Sequence, residues 1–159
     1  MNYRSGIGID FHPLTAGRPL IIGGVDVPFS QGLDGHSDGD VLTHSIIDAL
    51  LGAAGMEDIG VHFPSSDARY KDVSSVVLLV KTLELMQGKW RVCNVDATII
   101  AQRPSLKSYL QPMKQIIAYS LGIDSSQVNV KATTTDGLGF AGRGEGISSL
   151  SIVMLESQQ

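Results

Sequence analysis

The chain has four histidines among its 159 residues, and one of them, His12, stands two positions from Asp10 in the run GIGIDFHP at 6–13. Successive side chains of a strand point to opposite faces, so Asp10 and His12 share one side and Phe11 takes the other. Such a pair has two chemical readings: two ligands of one metal ion, or an aspartate holding a histidine in one tautomer. For an isolated D-x-H the second is commoner, and a third group must decide. Asp40, His44 and Asp48 recur every four residues in the first helical segment, which places them on one stripe about a turn apart. A stripe of two acids and a histidine is usually solvated surface. This one adjoins the loop GHSDGD, whose glycines and small polar residues suit a backbone that approaches a ligand closely. Asp10, His12 and His44 together would be two imidazoles and a carboxylate, the donor set of catalytic zinc with a fourth position left open. Whether strand and helix meet is decided by the fold, not by the spacing.

The second chemically loaded stretch is KATTTDGLGFAGRGEG at 131–146. It contains a G-x-G-x-x-G at Gly137, Gly139 and Gly142, but the β run ISSLSIVML follows it where a dinucleotide fold needs a helix. What remains is a glycine-rich turn with three hydroxyls, an acid and Arg143, able to offer N–H groups and a guanidinium to phosphate oxygens. A tight β-hairpin is the plain alternative.

The elements that must position these groups follow from periodicity. Residues 3–10 read as a strand, and PLIIGGVDVPF as a hairpin turning at Gly23 and Gly24. Apolar and small residues at three- and four-residue spacing make 38–54 a helix closed by Gly55. Residues 56–72 show no period and read as a long loop, which in a small domain is usually functional or disordered. Helices are predicted over 73–87 and 106–121, and strands over 90–102, 127–135 and 147–155. Strands joined through helices tend to run parallel while the early hairpin is antiparallel, so the expected architecture is α+β, a two-layer sandwich with a mixed sheet and helices on one face.

Length and composition predict a single domain, 1–159, with 43% hydrophobic and 18% charged residues. The net charge of −4 and the lack of a basic cluster argue against nucleic acid as a partner. One cysteine, Cys93, precludes an internal disulfide, and its apolar surroundings WRVCNVDATII predict an inert, buried thiol. No segment approaches the roughly 18 uninterrupted apolar residues of a membrane span, and the first residues have no apolar targeting core. The expectation is a cytoplasmic protein without a membrane partner.

HSDGDVLTHSIIDALLGAAG, EDIGVHFP, NVDATIIAQRP and KATTTDGLGFAGRGEG, in that order behind GIDFHP, closely resemble the 2-C-methyl-D-erythritol 2,4-cyclodiphosphate synthase family of the non-mevalonate isoprenoid pathway. The resemblance spans nearly the whole chain. It implies a homotrimer around a central apolar cavity, helices outside, active sites at subunit interfaces, and room for a prenyl diphosphate in the cavity. It also implies the reaction: the 2-phosphate of 4-diphosphocytidyl-2-C-methyl-D-erythritol 2-phosphate attacks the β-phosphate of the same molecule and expels CMP.

Carried over by motif, Asp10, His12 and His44 match the family's zinc ligands, with Asp10 and His12 also facing substrate. His36 and Ser37 match the loop at the methylerythritol phosphate end, and Asp48 a carboxylate near the sugar. Asp58, Ile59 and Gly60, then Phe63, Pro64, Ser65, Ser66 and Asp67, match further substrate segments, with Asp58 a candidate for ribose hydroxyls. Ala101, Gln102, Arg103, Pro104, Ser105, Leu106 and Lys107 match the cytosine pocket. Thr133, Thr134, Thr135 and Asp136 match the diphosphate turn, where Asp136 would hold a second cation, Mg²⁺ or Mn²⁺. His36 and Thr134 match the positions assigned to transition-state stabilisation, and Phe140 and Arg143 lie beside substrate and cavity. Three residues depart from the family pattern: Asp136 where Glu is common, Ser105 where Lys is common, and Leu150 where some relatives carry a cavity-facing Glu. Two rival readings share these residues. A zinc-dependent phosphoester hydrolase would activate water with the same ligands, and a non-catalytic trimeric binding protein would hold a prenyl chain without releasing CMP.

Overall fold

The computed structural model describes residues 2–158. Five strands form a mixed sheet in the order β4 (Gln31–Leu33), β1 (Tyr3–Ala16), β7 (Gly146–Ser157), β5 (Trp90–Ile100) and β6 (Val128–Thr133). β1–β4, β1–β7 and β5–β7 are antiparallel and β5–β6 is parallel. A separate hairpin pairs β2 (Leu20–Ile22) with β3 (Val25–Val27). The helices are α1 (Val41–Ala54), α2 (Ile59–His62), α3 (Ser75–Met86), α4 (Leu110–Leu121) and α5 (Gly139–Gly142). The expected α+β architecture with a mixed sheet is what the chain adopts.

The two faces of the sheet differ sharply. On one, α1 packs over β1 and β7 and α4 over β6, while α3 lies against α1 and α4. Val95, Ala97, Ile99, Ile147, Val153 and Leu155 are buried there with Leu42, Ile46, Leu50, Met113 and Ile117 of the helices. The opposite face carries Tyr3, Ile7, Ile9, Phe11, Ile152 and Met154, all exposed in the single chain.

The motif GIGID explains how closely α1 approaches. A Cβ on Gly8 would lie 1.9 Å from Ser45 O, and one on Gly6 2.0 Å from Ala49 O. The i, i+4 line Ser45, Ala49, Ala53 is therefore set almost on the β1 backbone. Ser45 Oγ, buried at this contact, is bonded to Leu42 O at 2.9 Å and to the hydroxyls of Ser149 and Ser151 at 2.9 and 2.7 Å. Small residues on both elements are what bring the start of α1 beside β1.

Several boundaries differ from those periodicity predicts. β1 runs to Ala16, because pairing continues through Pro13 with Gly146 and then Leu14 with Leu33, so Asp10 and His12 stand within the strand and not at its end. The segment 56–72 contains α2 and a 3₁₀ turn at Ala68–Tyr70, each capped by an aspartate, Asp58 and Asp67. A single turn is too short to show a period. α5 is likewise one turn inside the glycine-rich stretch. Cys93 corrects the expectation of a buried thiol: it is half-exposed where the β5–β7 register shifts between Val92 and Asn94, and the irregularity takes it out of the inward alternation.

Candidate metal centre and substrate clefts

Asp10 and His12 leave β1 on the α1 side, where Gly6 and Gly8 precede them on the same face. His44 comes from the first turn of α1, whose start is fixed by Asp40. That carboxylate is fully buried and accepts hydrogen bonds from Thr43 N and Oγ1 at 3.0 and 2.8 Å and from Gly23 N and Gly24 N at 2.8 Å each. One side chain thus caps α1 and anchors the β2–β3 turn. Burial pushes the Asp40 carboxyl up, as does the charge of Asp38, and the bonds from Thr43 and Gly23 offset this only in part. The stripe Asp40, His44, Asp48 is therefore not solvated surface: two of its members are buried and Asp48 is half-buried.

The three candidate ligands meet. Asp10 Oδ2 lies 2.8 Å from His12 Nε2 and 3.1 Å from His44 Nδ1, and those two nitrogens are 3.1 Å apart. Burial raises the Asp10 pKa, but hydrogen bonds and charge from the two imidazoles outweigh it and hold the carboxyl below its ordinary value. For His12, burial favours the neutral ring, yet contact with Asp10 prevails and its pKa stands above the ordinary imidazole value. His12 Nδ1 donates to Asp34 O at 2.5 Å, so in the neutral ring, the form that binds a metal ion, Nε2 carries the lone pair and faces the other two donor atoms. Among the described residues these three form the group whose donor atoms, within 4.8 Å of one another, could hold a metal ion. Two imidazoles and a carboxylate converging on one point fit a divalent transition metal with an open position.

The remaining predicted residues fall into distinct places. A cleft of about 280 Å³ beside the three ligands is lined by His36, Ser37, Ile59, Gly60, Phe63 and Ser65. His36 Nε2 lies 3.3 Å from Asp67 O. Asp48 accepts from Ile59 N at 2.7 Å and Asp58 from Val61 N at 3.1 Å, so both shape α2 at the rim of this cleft. Asp67 is held low by its bonds to Arg69. Pro64 and Ser66 belong to the same segment without lining the cleft.

A second cleft, about 520 Å³, is lined by residues 101–107 with Leu110, Ala132, Thr133 and Thr134. No residue lines both clefts, so within one chain the metal centre and the 101–107 pocket are separate. The turn after β6 joins the second cleft: Asp136 takes a left-handed conformation, φ +53°, its N–H is 3.3 Å from Thr134 Oγ1, and Gly137 N donates to Gln102 Oε1 at 3.1 Å. Thr135 Oγ1 donates to Leu138 O at 2.6 Å. Arg143 pairs with Glu145 at 2.8 Å and shares a third cleft with Arg103, while Phe140 packs edge-on against Phe11, with ring centroids 5.6 Å apart.

Four residues at the metal centre escaped the motif reading. Asp34 contributes a backbone carbonyl, for which no side-chain pattern exists. Tyr70 and Leu78 line the metal cleft from the aperiodic segment and from α3. Ser75, at the first position of α3, reaches His44 from 31 residues away along the chain.

Comparison with known proteins gives these clefts a context. The chain matches the YgbB family over residues 3–156. It is 55% identical over 154 residues to the 2-C-methyl-D-erythritol 2,4-cyclodiphosphate synthase of Syntrophomonas wolfei, covering 96% of this chain and 98% of that protein. The protein of the same name from Geobacillus kaustophilus is 54% identical over 155 residues, 97% of this chain and 98% of the relative. The bifunctional IspDF of Campylobacter jejuni superposes with a TM-score of 0.94 at 43% identity, and the chain, matched over 98% of its own length, spans 42% of that larger protein. The IspF of Plasmodium falciparum, solved as a CDP complex, superposes with a TM-score of 0.86 at 31% identity over 99% of this chain and 98% of that one.

Proposed function

We propose that this chain, which belongs to the YgbB family and whose relatives are named 2-C-methyl-D-erythritol 2,4-cyclodiphosphate synthase, cyclises 4-diphosphocytidyl-2-C-methyl-D-erythritol 2-phosphate. An oxygen of the 2-phosphate forms a bond to the β-phosphorus, the bond from that phosphorus to its oxygen bridge with the α-phosphate breaks, and CMP leaves with the bridging oxygen. The enzyme is on this reading a phosphorus–oxygen lyase of isoprenoid precursor synthesis, working in the cytoplasm. The observation that carries it is the convergence of Asp10, His12 and His44 in a cleft shared with His36 and Ser37.

An intramolecular phosphoryl transfer needs no protein nucleophile. It needs alignment and donors aimed at developing charge. Asp10, His12 and His44 would hold Zn²⁺, and Asp136 a second cation, Mg²⁺ or Mn²⁺; bound there, the ions neutralise phosphate charge. His36 and Ser37 hold the 2-phosphate end, Asp48 and the segments 58–60 and 63–67 the sugars, residues 101–107 the cytosine, and Thr133, Thr134 and Thr135 the diphosphate. His36 and Thr134 donate to oxygens that gain charge in the transition state.

His36 lines one cleft and Thr134 the other, so a single substrate bridging them calls for two chains. The exposed apolar sheet face offers the surface for such an assembly, and a homotrimer closed on that face would enclose an apolar cavity able to take a prenyl diphosphate. Incubation with the diphosphocytidyl substrate in ¹⁸O-water tests the reading. The expected products are CMP and a cyclodiphosphate free of solvent oxygen, and solvent oxygen in the phosphate product would assign a hydrolase instead.

A further inference from the structure

The three candidate ligands can act together only if each imidazole presents the right nitrogen. The backbone settles His12, through Asp34 O. The outward nitrogen of His44 is Nε2, 2.7 Å from Ser75 Oγ and 3.1 Å from Ser37 Oγ. A hydroxyl both donates and accepts, so these contacts alone do not choose the tautomer. Asp38 does. Its carboxylate, an acceptor only, takes the Ser75 hydroxyl hydrogen at Oδ1 and the Ser75 N–H at Oδ2, the latter at 2.9 Å. With its one hydrogen committed, Ser75 Oγ has only lone pairs to offer, and His44 Nε2 must carry the hydrogen. In the neutral ring that binds a metal ion, the Nδ1 lone pair then points toward Asp10 Oδ2 and His12 Nε2.

We infer that Asp38 and Ser75 are positioning residues of the metal centre: a carboxylate–hydroxyl–imidazole relay that fixes His44 as its Nε2–H tautomer and so sets metal affinity. The inference rests on Asp10, His12 and His44 being a metal site, and neither Asp38 nor Ser75 is a ligand. Ser75 is fully buried at the start of α3. The neighbouring cap residue Ser74 makes no side-chain cap bond, and Asp38 takes the Ser75 N–H in its place. Fastening α3 to the loop would require only that backbone bond. The hydroxyl adds a bond directed at His44, which fastening does not need.

Ser75→Ala removes the hydroxyl and keeps the backbone N–H on Asp38. Chelator competition on the purified proteins is expected to show Zn²⁺ held about 10- to 100-fold less tightly by the variant than by the wild type. Ser37→Ala, which leaves the relay intact, should weaken binding less. Nitrogen-15 spectra of the zinc-loaded wild-type protein should show His44 protonated at Nε2 and coordinated through Nδ1; this reading does not depend on any variant folding. Wild-type affinity in Ser75→Ala, a larger loss in Ser37→Ala, or His44 protonated at Nδ1 would each overturn the relay and leave the metal site standing. A wild-type protein that binds no Zn²⁺ would overturn the metal site and the relay with it.

Discussion

At Asp10, burial works against the ionised carboxyl and two imidazoles work for it, and the imidazoles prevail. The three donors depend on one another in this way, so loss of one weakens the set. His44→Ala is expected to fold and to lower bound zinc from about one ion per chain to near zero, since three protein ligands are the minimum for such a site; metal analysis of the purified variant checks it. Asp136 lies in the turn beside the other cleft, next to Gly137, whose N–H meets Gln102. Its side chain is one methylene shorter than Glu, about 1.5 Å of reach, while Mg²⁺ holds its ligands near 2.1 Å with little tolerance. The left-handed backbone at Asp136 and Gly137 sets where that short side chain can reach. Asp136→Asn should raise the Mg²⁺ concentration for half-maximal CMP release, by about 10-fold if one charge–charge contact is lost, with zinc content unchanged. An unaltered Mg²⁺ dependence would leave Asp136 a turn residue only.

The element that decides the centre is α1, through its two contacts with the strands. Gly8 lets the helix backbone approach to a distance that no Cβ allows, and the obstructing atom is a backbone oxygen, Ser45 O, which cannot rotate away. Gly8→Ala should therefore cost about 3 kcal/mol or more, the upper range for overpacking, and should also loosen zinc by moving His44 from Asp10. Thermal unfolding and chelator competition measure the two effects, and an unchanged melting temperature would contradict the packing argument. Asp40 acts at the other contact. Asp40→Ala leaves the N–H groups of Gly23, Gly24 and Thr43 without their acceptor, and a loss of about 2–4 kcal/mol is expected from the cap and the unsatisfied donors; denaturant midpoints would show it.

For the whole molecule, the consequential surface is the open sheet face. Ile7 is 60% exposed and Phe11 58%, with Ile9, Ile152 and Met154 around them on neighbouring strands. A contiguous exposed apolar surface of this kind is what the proposed assembly would bury. Ile152→Asp, central in the patch and far in sequence from either cleft, should convert the proposed assembly to monomers, as read by light scattering. CMP release should fall at least about 10-fold if substrate must bridge clefts of two chains, as positioning arguments imply, while zinc content stays intact. Monomeric wild-type protein with full activity would place the whole site within one chain.

By itself the sequence determined the candidate ligands and the longer elements. Asp10 and His12 share a strand face because side chains alternate, and His44 and Asp48 share a helix face because the turn holds about 3.6 residues; both periods are local and legible. The mixed sheet followed from helices between strands. The meeting of His44 with Asp10 is not local: it depends on the fit of Ser45 and Ala49 against Gly8 and Gly6, which only the packed structure reveals. Asp34, through a carbonyl, and Ser75, through a hydroxyl between Asp38 and His44, belong to the same class. Their side-chain types carry no signal, because what recruits them is proximity across the fold. Cys93 departs for the converse reason: its apolar neighbours predict burial, and a register shift in the sheet leaves it half-exposed.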